Sequence, residues 1–447
     1  MTSALTHARG PAEDLLIRGA HVMDPGQGID GLHDVLVRDG RIAEVGERGS
    51  PALPGGAGEV DGAGRHLFPG FVDPHVHLRT PGQEHKEDLA TGTRAAAAGG
   101  FCAVIAMPNT DPTVDAASIL GSLREIAARE ARVPVGFLAA ITRGLAGSEL
   151  TEMAELRDAG ALGFTDDGRP VTSAGLLRRA LQYQRLSGGV IALHEEDPSL
   201  SGDGAMHEGD VSALLGMAGI PSVSESTMIA RDAALAGYEE ARIHVQHLSC
   251  VESVEAVRAA KAAGVAITAE ASPHHLTLTD ESLRESLDTR LKMNPPLRTE
   301  RDRRALVAGL ADGTIDCVAT DHAPHAREDK EVPFEEAPMG TTGLETAFAA
   351  LHTNLVVAGE LDLATLIARM TTGGALFGLP VPAIAPGSHA DLCLVDLDAE
   401  WEVGEAGYHS RSENCCFAGE VLRGRVLLTV AAGAVAHRDR SLAAVAA

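Results

Sequence analysis

The sequence predicts an α/β fold: a (β/α)8 TIM-type barrel with a small β-sandwich domain built from both chain ends. Two observations predict it. From Phe71 onward, eight apolar runs alternate with Ala-, Arg- and Glu-rich stretches of helical character. On either side of that region the chain offers only short strands and turns. The implied division is 1–67 for the first part of the sandwich, 68–375 for the barrel and 376–447 for the rest of the sandwich. A chain of 447 residues is long enough to bury cores of this size.

Between Leu15 and Leu67 the strand candidates are Leu15-Leu16-Ile17, Gly19 to Pro25, Val35-Leu36-Val37 and Ile42 to Val45, with a hairpin-type turn at Arg38-Asp39-Gly40. Gly49 to Gly58 reads as a loop. The eight barrel runs are Phe71-Val72, Phe101 to Met107, Val133 to Ile141, Ala161 to Phe164, Val190 to Leu193, Ile243 to Val245, Val265 to Ala269 and Ile315 to Ala319. Helical stretches between them include Glu87 to Ala98, Ala116 to Arg132, Gly175 to Leu186, Ser226 to Glu239, Val251 to Ala263 and Glu300 to Ala311; the unit after the third run is short. Past Thr371 the pattern reverts to β, with Leu392 to Val395, Val421-Leu422, Val426 to Val430, a turn at Gly433, and Val435. Position along the chain pairs these with the N-terminal strands in one domain.

Composition excludes several classes of function. The formal charge of −26 opposes nucleic acid and anionic membrane as partners, because both require basic patches. No apolar segment is long enough to span a membrane, and Met1 to Gly10 lacks the apolar core of a signal peptide. Six cysteines form no C-x-x-C pair, which fits reduced thiols in a cytoplasmic protein, the adjacent Cys415-Cys416 included.

In such a barrel the active site lies at the C-terminal ends of the strands. Strand one leads into His75-Val76-His77, two imidazoles that alternation places on one side, with Arg79 two residues further on the same alternation. The planar fork of Arg79 suits a substrate carboxylate beside a metal. Strand four ends at Thr165-Asp166-Asp167-Gly168, strand five at His194, strand six at His247 and strand eight at Asp321. Each alone is unremarkable: a His can be a satisfied loop residue and an Asp a helix cap. Four histidines and two aspartates converging from five strands point to metal. Six donors exceed one tetrahedral zinc and suit two ions roughly 3.5 Å apart, bridged by a carboxylate and holding a hydroxide nucleophile. One division puts His75, His77 and Asp321 on one ion and His194 and His247 on the other, with Asp167 shared. Asp321 then serves as acid and base, carrying a proton from the nucleophile to a leaving nitrogen.

These residues sit in motifs: Phe68-Pro-Gly-Phe-Val-Asp-Pro-His-Val-His-Leu-Arg79, Met107-Pro-Asn-Thr110, Phe164-Thr-Asp-Asp-Gly168, Leu193-His-Glu-Glu196, Val245-Gln-His-Leu-Ser249, Met293-Asn-Pro-Pro-Leu-Arg298 and Ala319-Thr-Asp-His-Ala-Pro-His325. With them the whole chain resembles the amidohydrolase superfamily, and most closely the bacterial type I dihydroorotases. The resemblance implies reversible hydrolysis of (S)-dihydroorotate to N-carbamoyl-L-aspartate, run toward ring closure in de novo pyrimidine synthesis. It implies two Zn2+ per chain on His75, His77, Asp167, His194, His247 and Asp321. It further implies a carboxylate grip of Arg79, Asn109 and His325, and substrate contacts at His77, Asn294, Met339 and Gly340. The resemblance also prefers Asp167 to Asp166 as the bridge, because its spacing to His194 matches that of the family, with Asp166 as the alternative. Hydantoinase relatives bridge with a carboxylated lysine, and no lysine stands near the end of strand four. The implied partners are the small-molecule substrate, a second copy in a homodimer or larger homo-oligomer, and aspartate transcarbamoylase.

The charged segment Ala326 to Pro338 lacks an apolar period and is expected to be a mobile cover. His274 and His275 are expected in the loop after strand seven or behind the site. His322 should point away, and His21, His33, His66 and His437 should lie on the surface. Two other readings compete. An allantoinase- or hydantoinase-type enzyme would have no use for a carboxylate grip, and an inactive scaffold for aspartate transcarbamoylase would lack metal ligands.

Overall fold

The computed structural model describes residues 4–8 and 10–442; residues 1–3 and 9, part of the stretch read above for a leader, lie outside them. The eight barrel strands are Phe71–Val76, Phe101–Ala106, Val135–Ala139, Gly163–Thr165, Val190–Leu193, Ile243–Val245, Ile267–Ala271 and Cys317–Val318. They pair in parallel, in chain order. A parallel bridge between Val76 and His322 and a 2.9 Å bond from the His77 amide to the His322 carbonyl join the eighth strand's exit to the first.

Both faces of this sheet are buried, so the strands read as continuous apolar runs rather than alternating ones. Val104, Ala106, Phe137, Ile191 and Val245 pack with helix residues such as Leu120, Leu177 and Val254. Their alternates Ile105, Leu138, Val190 and Ala192 gather with Phe377 in a separate cluster that holds no residue of the outer helices. Some helices start on side-chain caps: Asp88 accepts from the Thr91 amide ahead of Leu89–Ala98, and Ser173 from the Leu176 amide ahead of Ala174–Ser187. The third unit is indeed short, a six-residue helix Met153–Asp158. Gly99 lets the first helix turn tightly into strand two; a Cβ there would sit 1.9 Å from the Leu344 carbonyl oxygen.

The chain ends build one mixed sheet. Its order is Ala434–Arg438, Val421–Ala431, Leu392–Glu402, His66–Pro69, Leu15–Asp24, Ile29–Arg38 and Arg41–Gly46, with Gly58–Asp61 alongside Leu15–Asp24. The two termini meet where Leu392–Val395 runs antiparallel to His66–Pro69. The sheet curls over a core that includes Leu15, Val35, Ile42, Leu392 and Leu428, and Gly40 packs against Gly433. Asp39 and Gly40, at φ 51° and 72°, form the predicted hairpin turn. Strand Leu392–Glu402 runs well past the predicted Val395 because its second half is exposed and charged, which hides the apolar signal. His21, His33, His66 and His437 are half-buried, not surface residues: the sheet packs them, and the His21 and His66 rings stack 4.8 Å apart. All six cysteines are free thiols. Among the described residues no helix is long and apolar enough to cross a membrane.

Candidate metal centre and substrate pocket

The six predicted donors come together at the barrel mouth. His75 Nε2 lies 3.4 Å from Asp167 Oδ1 and 3.5 Å from Asp321 Oδ1. His77 Nε2 lies 3.0 Å from Asp321 Oδ1 and 3.5 Å from Asp167 Oδ2. On the other side His247 Nε2 and His194 Nδ1 stand 3.8 and 3.9 Å from Asp167 Oδ1 and 3.0 Å from each other. Asp167 is thus central to all four imidazoles. Asp166 faces away, accepting the Ile141 and Thr142 amides at 2.8 and 2.9 Å and the Thr142 hydroxyl. His75, His77 and Asp321 form one compact triad able to hold an ion; His75, Asp167 and His247 form a second.

The donor set fits divalent cations. His75 Nε2 and His247 Nδ1 are buried nitrogens without a hydrogen-bond partner. His194 turns Nε2 toward Glu196 Oε2 at 3.2 Å, leaving the Nδ1 lone pair facing His247 Nε2. If His247 carries its proton on Nδ1, its Nε2 lone pair opposes that of His194 Nδ1, and a cation between them relieves that opposition. Burial alone would lower the His75 pKa, but Glu270 and Asp167 hold it well above the ordinary value. Burial would raise Asp167 and Asp321, yet His75 and His77 among the surrounding imidazoles hold both carboxyls well below the usual range. Buried carboxylates of this density require positive charge beside them.

The alternation argument holds for His75 and His77 but not for Arg79. The strand ends at Val76, and Arg79 reaches the mouth through a left-handed residue, φ 57°. Its Nε donates to the Pro324 carbonyl at 3.1 Å. Burial lowers its pKa to about 10 against the pull of Asp321 and Asp167, so it stays cationic at neutral pH. A cavity of about 230 Å³ opens over the donors, and Arg79, His77, Asn109, Asn294, His325, Met339 and Gly340 all line it. No lysine does. Asn109 also braces the centre: its Oδ1 lies 2.9 Å from His77 Nδ1 and its amide donates to Asp167 Oδ2 at 3.3 Å. Asn294 donates to Glu196 Oε2 at 2.8 Å. Burial first, then Arg79, pushes the His325 pKa down to about 2; the neutral ring donates from Nε2 to the Met339 carbonyl at 2.9 Å.

His322 points away, with Nε2 3.3 Å from Glu87 Oε2. His274 and His275 are buried on the short helix Pro273–Thr277, both bonded to Ser272 Oγ. The segment Ala326 to Pro338 is folded down rather than loose. Phe334 is buried with Met206, Val211 and Leu283, and the Lys330 ammonium donates to the Thr289 and Pro338 carbonyls at 2.9 and 2.7 Å. One aromatic and one buried lysine anchor a stretch whose charge had suggested freedom.

Glu270 is the residue that sequence reasoning missed. From strand seven its Oε1 meets His75 Nδ1 at 2.5 Å and the His247 amide at 3.3 Å, and its Oε2 meets His244 Nε2 at 2.9 Å. That bond fixes the His75 tautomer so that the Nε2 lone pair faces the centre. The signal was present: a lone carboxylate inside the apolar strand Ile267–Ala271.

Comparison with known proteins agrees with this geometry. A family model described as Dihydro-orotase-like matches residues 64–253. The chain is 48% identical over 430 residues to a dihydroorotase of Anaeromyxobacter sp. (strain K), covering 95% of this chain and 98% of the relative. It is 46% identical over 427 residues to a dihydroorotase of Pelotomaculum thermopropionicum, at 95% and 99% coverage. Among solved structures it resembles L-hydantoinase from Arthrobacter aurescens (27% identity, TM-score 0.84, 95% and 96% coverage). It also resembles D-hydantoinase from Thermus sp. (26% identity, TM-score 0.82, 96% of each chain). Full-length identity near one half, on a barrel shared with the hydantoinases, shows that the chain belongs to the dihydroorotase family of cyclic amidohydrolases.

Proposed function

We propose that this protein hydrolyses the ring amide of dihydroorotate reversibly to N-carbamoyl-aspartate, with ring closure as the reverse step. The observation that carries this reading is a buried guanidinium, Arg79, on the same small cavity as the His/Asp donor cluster. A carboxylate-bearing ring suits that pairing, because Arg79 and Asn109 offer donors for the carboxylate, with the His325 ring beside them, and the His/Asp donors line the same cavity. Asn294, Met339 and Gly340 line the same cavity and would contact the rest of the substrate.

Two zinc ions fit the nitrogen-rich set. His75, His77 and Asp321 would hold one, His194 and His247 the other, with Asp167 between them. When bound, they supply Lewis acidity and lower the pKa of water. The chain's own groups supply the proton path. Asp321, kept ionised by its imidazole neighbours, accepts a proton from the attacking water as the C–O bond forms. It returns that proton to the ring nitrogen as the C–N bond breaks. Asn109 holds His77 and Asp167 in register meanwhile.

Turnover of zinc-supplemented protein on dihydroorotate, allantoin and hydantoin, with zinc content from the same sample, tests the reading. Activity confined to dihydroorotate with about two zincs per chain is expected. Activity on the rings without a carboxylate would move the assignment to the hydantoinase side, and bound zinc without turnover would refute it.

A further inference from the structure

We propose that Asn414, in the C-terminal segment beyond the barrel, is the positioning residue that sets the carboxylate side of the substrate pocket. The inference rests on the dihydroorotase reading and deepens it. The segment around Asn414 connects two strands of the mixed sheet and packs against the barrel, where the Ser410 hydroxyl and the Arg411 amide donate to Glu87. There Asn414 is buried, 5% exposed. Three of the four hydrogen-bonding positions of its side chain are taken by the main chain of the pocket wall. Its Oδ1 accepts the His325 amide at 3.0 Å, and its Nδ2 donates to the Ala323 and Gly340 carbonyls, each at 3.1 Å.

Those three residues line the cavity, and His325 in turn fixes Met339 through its ring. The clamp is itself held from behind. The Asn414 carbonyl accepts the Thr341 hydroxyl at 2.9 Å and the Thr342 amide at 3.1 Å. The Thr341 hydroxyl also accepts the Cys416 amide at 2.9 Å. Tolerance inside is small: a Cβ on Gly340, φ 132°, would lie 2.8 Å from the Ala323 Cβ and 3.0 Å from His325 Nε2. Arg79 is tied to the same wall, because its Nε donates to the Pro324 carbonyl between Ala323 and His325. A single side chain therefore spans both segments of the pocket wall, 323–325 and 339–340, and a shift of either displaces Arg79 and His325 relative to the substrate carboxylate. Asn414 touches none of the six metal-donor side chains, so its loss should act on binding.

The test compares wild type with Asn414→Ala and Thr341→Val. It measures KM and kcat for dihydroorotate, the Kd of orotate by calorimetry, zinc content and Tm. Misplacement of a binding group by about 1 Å costs up to about 100-fold. Asn414→Ala should accordingly raise KM and the orotate Kd together by about 10- to 100-fold, with kcat within about 3-fold and zinc unchanged. A purely structural role would lower Tm and the active fraction while leaving KM alone; that result overturns the proposal. If Asn414→Ala does not fold, Thr341→Val decides: a parallel rise in KM and orotate Kd supports the clamp, and unchanged values refute it. Wild type that binds orotate without turning over dihydroorotate would sink the dihydroorotase reading alone. Wild type that does neither would sink both.

Discussion

Replacing Glu270 with Gln tests the idea that a buried carboxylate in strand seven sets the metal affinity. Glu270 accepts from the His75 ring, the His244 ring and the His247 amide. Burial would raise its pKa, but His75 and His244 outweigh burial and hold it at about 2, so it is ionised. Gln keeps one accepting oxygen and turns the other into an NH2 group. One imidazole N–H then faces another donor with no water to relieve it. A charge-assisted hydrogen bond is worth about 1.5–3 kcal/mol. The cost is met in one of two ways: the donor remains unpaired, or His75 flips its proton to Nε2 and loses the lone pair aimed at the centre. Losing an outer partner of a metal-ligating histidine weakens the metal about 10- to 100-fold, or about 1.4–2.7 kcal/mol, which overlaps the first figure. Zinc competition against a chromophoric chelator reads this directly and needs no turnover. We expect one zinc per chain to weaken by about 10- to 100-fold in Glu270→Gln. A folded variant whose zinc Kd values stay within about 3-fold of wild type would refute the orienting role.

Three further outcomes follow from the same geometry. Asp321→Asn should lower kcat by about 10²- to 10⁴-fold with zinc largely retained, and near-normal kcat would remove it from the proton path. Arg79→Lys substitutes a point charge for a fork and should raise KM for dihydroorotate roughly 10- to 150-fold, the equivalent of one charge-assisted bond; an unchanged KM would count against the carboxylate grip. Lys330 gives a pH signature: burial, then Lys292, lowers its pKa from the usual 10.5 to about 7. The folded state then binds fewer protons than the unfolded state between those values, so stability gains from this group as pH rises through that window and is flat below it. Lys330→Met should flatten that slope in thermal melts and speed proteolysis of the 326–338 segment; melts that keep the wild-type slope would show that another group supplies it.

The barrel was readable because both faces of each strand are buried, which turns strands into apolar runs that length and flanking turns separate from helices. That only one of Asp166 and Asp167 faces the site was also readable, since neighbours on extended backbone diverge; which one came from the family resemblance, and Asp166 does turn to Ile141 and Thr142. Glu270 escaped because the apolar run was cut at Ala269, one residue short of the carboxylate. Asn414 escaped for a different reason: it binds only main chain, and its partners lie 74 to 91 residues earlier in the sequence, so no local pattern marks it. The anchors of the 326–338 segment were not legible because its charge hides them: Phe334 packs with Met206 and Leu283, and Lys330 buries its stem and donates from its ammonium to carbonyls.

Alternation is a property of extended backbone, and the mouth of this barrel is where the backbone stops being extended. Arg79, His247 and Asp321 have φ of 57°, 31° and 48°, the left-handed region that costs a non-glycine residue about 1–3 kcal/mol. Each is held by hydrogen bonds at or beside the turn. The Arg79 carbonyl accepts the Gln83 amide at 3.0 Å, and the His247 amide reaches Glu270. Asp321 lies between Thr320, held through its amide and hydroxyl by Asp73, and His322, held by Glu87. Asp73, Glu87 and Glu270 do not line the cavity. Their position explains an otherwise costly feature, three buried carboxylates around the barrel mouth: they hold the turns that aim His247 and Asp321 into the site. Removing one of them should therefore damage the site more than the fold, because the strain it restrains is local while the apolar clusters that stabilise the barrel are untouched.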